Sequence, residues 1–83
     1  MKTVSLIIEN TSGIDALMAQ NVVRAASDYE SDMILKYDNK EVDLKSILGI
    51  MSLAVLEGAR VEIIAKGLDA EEAIATLRKM LIK

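Results

Sequence analysis

A chain of 83 residues has material for one hydrophobic core, and two independently stable domains would each lack one, so a single domain over residues 1–83 is expected. Apolar residues make up 52% and charged residues 28%, which excludes a disordered segment, while the net charge of −3, from 13 acids and 10 bases without a basic run, argues against direct nucleic-acid binding. The absence of cysteine and histidine removes disulfides, thiolate and imidazole metal sites and every nucleophile–histidine pair, so no metal, no cofactor and no enzyme active site is expected.

The first segment alternates, with Val4, Leu6 and Ile8 on one face and Thr3, Ser5, Ile7 and Glu9 on the other, the pattern of a strand with one buried side. Asn10 to Gly13 is turn chemistry. Met18, Ala19, Val22, Val23 and Ala26 then make the apolar stripe of a helix from about Ala16 to Ser27, with Gln20, Arg24 and Asp28 off it. Met33, Leu35 and Tyr37 mark a second strand, and Asp38-Asn39, two residues that tolerate left-handed backbone, join it as a hairpin to a short strand containing Val42 and Leu44. Ser46 stands where a serine caps a helix, ahead of the apolar run Ile47 to Leu53, in which Ile50 and Leu53 are expected to face inward and the others to stay partly exposed.

Gly58 permits a tight turn before Val61, Ile63 and Ala65 alternate against Glu62, Ile64 and Lys66 as a further strand, which Gly67 closes. Asp69 and Glu72 have the spacing of a capping pair for a last helix, whose stripe is Ala70, Ala73, Ile74, Leu77 and Leu81. Arg78, Lys79 and Lys83 suit its C-terminal dipole. The order β-α-β-β-α-β-α, with connections too short for parallel crossovers unless they contain a helix, gives an α+β fold. The plan is an open-faced sandwich, a four-stranded antiparallel sheet with three helices on one face and Ile34 and Ile64 on the comparatively open other face. No apolar stretch reaches the roughly 20 residues of a membrane span, and Met1-Lys2-Thr3 leads into strand pattern without a signal-peptide core, so a cytoplasmic protein without membrane association is expected.

This order, with Gly13-Ile14-Asp15-Ala16 before the first helix and Leu44-Lys45-Ser46-Ile47-Leu48-Gly49-Ile50-Met51-Ser52-Leu53 at the second, resembles the HPr family of the sugar phosphotransferase system almost end to end. The family's carrier motif reads Gly-Ile-His-Ala-Arg-Pro, whereas this chain has Gly13-Ile14-Asp15-Ala16-Leu17-Met18, so the phosphorylated histidine, its arginine and the proline are all replaced. The likeness is to the histidine-less catabolite-repression HPr (Crh-like) members. It therefore implies a regulatory phosphoprotein in place of a competent histidine carrier: Ser46 as the site of an ATP-dependent HPr kinase/phosphorylase, and the modified form as corepressor for a LacI-type transcription factor. Histidine-less relatives are known to dimerise by swapping strands, which leaves a homodimer open here.

A phosphoserine adds roughly −1.5 to −2 charge, which a partner could read with an arginine or lysine while packing on Ile47, Leu48 and Met51. Asp15, Leu17, Gln20 and Arg24 join these as partner-binding candidates. Asp15 itself reads first as an N-cap, because a carboxylate without a neighbouring cation or metal repels a phosphoryl donor. Two other functions stay open: a phosphocarrier acting through Asp15, and an interaction module that is never phosphorylated.

Overall fold

The protein is described over residues 1–82 by a computed structural model. Its seven elements are β1 (Lys2–Ile7), α1 (Ala16–Ser27), β2 (Asp32–Tyr37), β3 (Lys40–Asp43), α2 (Ile47–Ser52), β4 (Arg60–Lys66) and α3 (Ala70–Leu81). Every expected element forms in the expected order, with one sheet in the order β1-β4-β2-β3 and every neighbour antiparallel. Lys83, the last of the three cations assigned to the α3 dipole, lies outside the described residues; Arg78 and Lys79 occupy the last turn.

The period of two explains which side of the sheet is covered. Val4, Ile63, Leu35 and Val42 form one row across the four strands, and Leu6 pairs with Val61 beside it. Leu35, Ile63 and Ala65 are fully buried under the helices, which contribute Ala19, Val22 and Ala26 from α1, Ile50 from α2, and Ala73, Leu77 and Leu81 from α3. Each such leucine or isoleucine contributes about 1.5–3 kcal/mol through burial. On the opposite face the rows read Thr3, Ile64, Ile34, Asp43 and Ser5, Glu62, Lys36, Glu41. Ile34 and Ile64 pair directly there and are half-buried, because each shields the other and the flanking side chains cover part of both.

The turn signals act where the backbone needs them. Asp38 and Asn39 take φ of 52° and 66°, the two consecutive left-handed residues that a two-residue hairpin requires. Leu44 falls one residue past β3 yet keeps its N–H bond to the Met33 carbonyl, 2.9 Å, and is fully buried.

The Asp69–Glu72 capping pair does not form. Asp69 has φ −101° and ψ 20° and makes no side-chain bond to α3. Its carboxylate instead accepts the N–H groups of Glu30 at 2.9 Å and Ser31 at 3.0 Å, and also the Ser31 hydroxyl. Ser31 is buried, and an unsatisfied buried hydroxyl costs about 1–3 kcal/mol, so the carboxylate is drawn away from its own helix to tie α3 to the entry of β2. Gly67 leaves room for this clamp: with φ +149°, a Cβ there would lie 2.5 Å from the Ser31 hydroxyl oxygen and 2.8 Å from its Cα.

The clamp has a pH signature. The Ser31 hydroxyl first, then the Glu30 N–H, holds the Asp69 carboxyl below its ordinary value of 3.8. A carboxylate favoured in the folded state adds stability above its unfolded pKa, about 3.9, and loses it as pH falls through the lowered folded value. Denaturant midpoints measured downward from pH 6 should therefore fall below about pH 4 in the wild type and fall less steeply in Ser31→Ala or Asp69→Asn. Equal slopes in all three proteins would show that the clamp contributes no pH-linked stability.

Candidate functional site

The sequence-based candidates lie at the starts of α1 and α2 and along those two helices. The loop from β1 to α1 is stitched to the segment leaving α2: Ile14 N–H donates to the Val55 carbonyl at 3.0 Å, Ile8 N–H to the Ala59 carbonyl at 2.9 Å, and Gly58 N–H to the Ile8 carbonyl at 2.8 Å. Ala54, left-handed at φ 51° just past α2, turns the chain so that Val55 meets this loop. Helices α1 and α2 are packed together, so both starts are held by the same core.

Asp15 is exposed and extended. Its Oδ1 accepts the Met18 N–H at 2.9 Å and its carbonyl accepts the Ala19 N–H at 2.8 Å, which makes it the N-cap of α1. Beside it lies an open hollow of about 230 Å³ lined by Asn10, Thr11, Ser12, Gly13, Leu17, Met18 and Asn21 together with Asp15 itself. None of these residues is a lysine or arginine. The hollow therefore lacks the counter-charge that would steady a phosphoryl group on the carboxylate. Asp15→Ala is expected to cost ~1 kcal/mol and to lower Tm by about 4–8 °C, measurable by calorimetry; an unchanged Tm would deny it the capping role.

Ser46 begins α2 in extended backbone, φ −122° and ψ 111°. It is half-buried, and its Oγ accepts the Gly49 N–H at 3.1 Å while its carbonyl accepts the Ile50 N–H at 3.0 Å. Gly49 keeps space at this point, since a Cβ there would stand 3.2 Å from the Ser46 oxygen. The helix divides as its pattern predicts: Ile50 and Leu53 are buried, whereas Leu48 is 84% exposed and Ile47 and Met51 are about two-fifths exposed. Leu17 on α1 is also largely exposed, followed on the same side of that helix by exposed Gln20 and Arg24 at spacings of three and four.

The roles of three residues escaped the sequence reading. Leu56 is 70% exposed next to Gly13 and extends the apolar rim, but it lies in an irregular connection where no periodicity assigns it a face. Asp43 accepts the Lys45 N–H on Oδ1 at 2.8 Å, and Lys45 extends its ammonium to the Tyr29 carbonyl, also 2.8 Å, at the end of α1. An aspartate two residues before a polar residue is a local turn signal, whereas the contact of Lys45 with Tyr29 spans 16 positions and leaves no sequence trace.

Among the described residues no group of metal-ligating side chains occurs and no helix is long and apolar enough to cross a membrane. A family model described as the PTS HPr component phosphorylation site matches residues 2–83. HPr-C-His from Thermoanaerobacter tengcongensis is 43% identical and superposes with a TM-score of 0.94, over 98% of this chain and 91% of that one. The phosphocarrier protein HPr from Bacillus anthracis is 34% identical at a TM-score of 0.94, over 96% and 95% of the two chains. Crh from Bacillus subtilis, a catabolite repression protein solved as a swapped, intertwined dimer, is 37% identical at a TM-score of 0.79, over 98% and 93%.

Proposed function

Because the chain belongs to the HPr family of the phosphotransferase system, with both HPr and Crh proteins among its structural relatives, we propose that it is a regulatory member switched by phosphorylation of Ser46 and not a histidine carrier. The observation that carries this reading is the contrast between the two helix starts. Ser46 offers a hydroxyl beside exposed Ile47, Leu48 and Met51, while Asp15 holds the family's histidine position as a capping carboxylate with no cation in the adjoining hollow.

In the modification, the Ser46 oxygen forms a bond to the γ-phosphorus of ATP as the bond to ADP breaks, and the hydroxyl proton leaves to a base on the kinase/phosphorylase. The product carries roughly −1.5 to −2 added charge at a position that was neutral. A LacI-type regulator acting as partner would pair this dianion with a basic side chain and cover the apolar residues beside it. With the apolar contacts present in both forms, the charge supplies the difference in affinity that a switch requires. Kinase and regulator both act in the cytoplasm, where we place the protein. The edge position of β1, paired with β4 alone in the sheet, also suits a homodimer formed by exchanging that strand, and Crh is described as a dimer with a swapping domain.

Retention on an immobilised LacI-type regulator, with and without prior treatment by HPr kinase/phosphorylase and ATP, tests the reading. Retention should rise on treatment. Equal retention of treated and untreated protein, once phosphate incorporation has been verified, would sink the corepressor role and favour a phosphate-independent interaction module.

A further inference from the structure

Ser46 sits at the end of a short turn whose shape is set by its two polar neighbours. The Asp43 carboxylate accepts the Lys45 N–H at 2.8 Å, the Asp43 carbonyl accepts the Ser46 N–H at 3.0 Å, and Leu44 between them is fully buried with its N–H on the Met33 carbonyl. These bonds close the chain into one conformation between β3 and α2. The turn is then fixed against the rest of the molecule by Lys45, which is half-buried and donates to the Tyr29 carbonyl at 2.8 Å. Tyr29 is itself held to α3 by a 2.5 Å hydrogen bond between its hydroxyl and that of Thr76.

We propose that Asp43 and Lys45 are positioning residues for the modification of Ser46: the Asp43 carboxylate shapes the turn that presents the hydroxyl, and the Lys45 ammonium anchors that turn to the end of α1. The proposal rests on the Ser46 reading above. Neither residue is the acceptor in the phosphoryl transfer, in which Ser46 Oγ bonds to phosphorus, ADP departs and the proton passes to the kinase. Their action is on the fraction of molecules whose Ser46 is ready for the kinase. A protein substrate only partly in its competent conformation binds with KM raised in inverse proportion to that fraction, while kcat in the bound complex is unchanged. Charge and geometry make opposite predictions for Asp43. As a negative group it would oppose a phosphate three residues away, whereas as a turn acceptor it assists.

The test is steady-state phosphorylation by HPr kinase/phosphorylase and ATP of the full chain as wild type, Asp43→Ala, Asp43→Asn and Lys45→Met, with Lys2→Met as a distant control that removes only the exposed Lys2–Glu71 ion pair. Asp43→Ala should raise KM about three- to tenfold, the net weight of one ordinary hydrogen bond at the surface, with kcat unchanged. Asp43→Asn, which keeps the Oδ1 acceptor, should restore a KM near that of the wild type. Lys45→Met should raise KM similarly, and amide exchange at Ser46 and Gly49 should speed up in Asp43→Ala and Lys45→Met but not in Lys2→Met. Wild-type KM and exchange in Asp43→Ala, or an Asp43→Asn protein as impaired as Asp43→Ala, would overturn the role of Asp43; wild-type KM in Lys45→Met would overturn the anchor. A wild type left unmodified beside a modified HPr would remove the Ser46 reading itself, and the positioning roles with it.

Discussion

Ser46→Ala is expected to abolish the kinase-dependent gain in regulator binding while leaving the fold intact. The substitution removes the acceptor of the Gly49 N–H at the start of a six-residue helix, a loss worth ~1 kcal/mol. That helix is held by burial of Ile50, with Leu53 just beyond it, and neither contact involves the hydroxyl. What disappears is the dianion. Two charge-assisted hydrogen bonds from a partner at about 1.5–3 kcal/mol each correspond to at least a hundredfold difference in affinity at roughly 1.4 kcal/mol per factor of ten. Calorimetric titration of the regulator with kinase-treated wild type and Ser46→Ala measures this directly. A Ser46→Ala protein that still responds to treatment would place the switch at another residue. The corresponding titration of Asp15→Ala should retain the full response, and its loss there would make Asp15 part of the recognition surface.

The largest stability effect is expected at Gly13. It has φ +63°, and a Cβ there would run into the Val55 carbonyl oxygen and come within 2.8 Å of Leu56 Cα. Both obstacles are backbone, and the Val55 carbonyl is already fixed by the Ile14 N–H, so neither can rotate aside as a flexible side chain would. Gly13→Ala combines left-handed strain of about 1 kcal/mol with displacement of the strut between the start of α1 and the segment leaving α2. A total of about 2–4 kcal/mol is expected, lowering Tm by at least ~8 °C in a domain of this size. Thermal unfolding followed by circular dichroism checks it; a loss below about 1 kcal/mol would mean that the α2 exit yields readily, contrary to the close approach seen here.

Much of this was legible in the sequence because periodicity and turn chemistry are local. The alternation in β1 and β4, the four-residue spacing in α1 and the Asp38-Asn39 turn each specify an element without reference to distant residues, and the bounds of α1 came out at Ala16 and Ser27 as expected. The division of α2 into buried Ile50 and exposed Leu48 was equally visible, since a six-residue helix cannot bury every side. Asp69 was misread for the complementary reason. Its spacing to Glu72 satisfies a local rule, but its partners, Glu30 and Ser31, lie 39 and 38 positions away, and a buried hydroxyl in need of an acceptor outweighed the helix end. Lys45 and Leu56 were missed likewise, one acting through a tertiary contact and the other in a connection without a repeat. At the candidate site, the helix starts could be read as caps from residue type alone and the lack of a cation near Asp15 from its neighbours in the chain, whereas the hollow itself, built from loop and helix together, leaves no sequence trace.

The most direct measurement is the mass of the purified protein after incubation with ATP and an HPr kinase/phosphorylase, followed by fragmentation to locate any phosphate, with a histidine-containing HPr treated in parallel. One phosphate per chain on Ser46 is the predicted result. An unmodified chain beside a phosphorylated HPr, or a phosphate located on any other residue, would contradict a switch at Ser46.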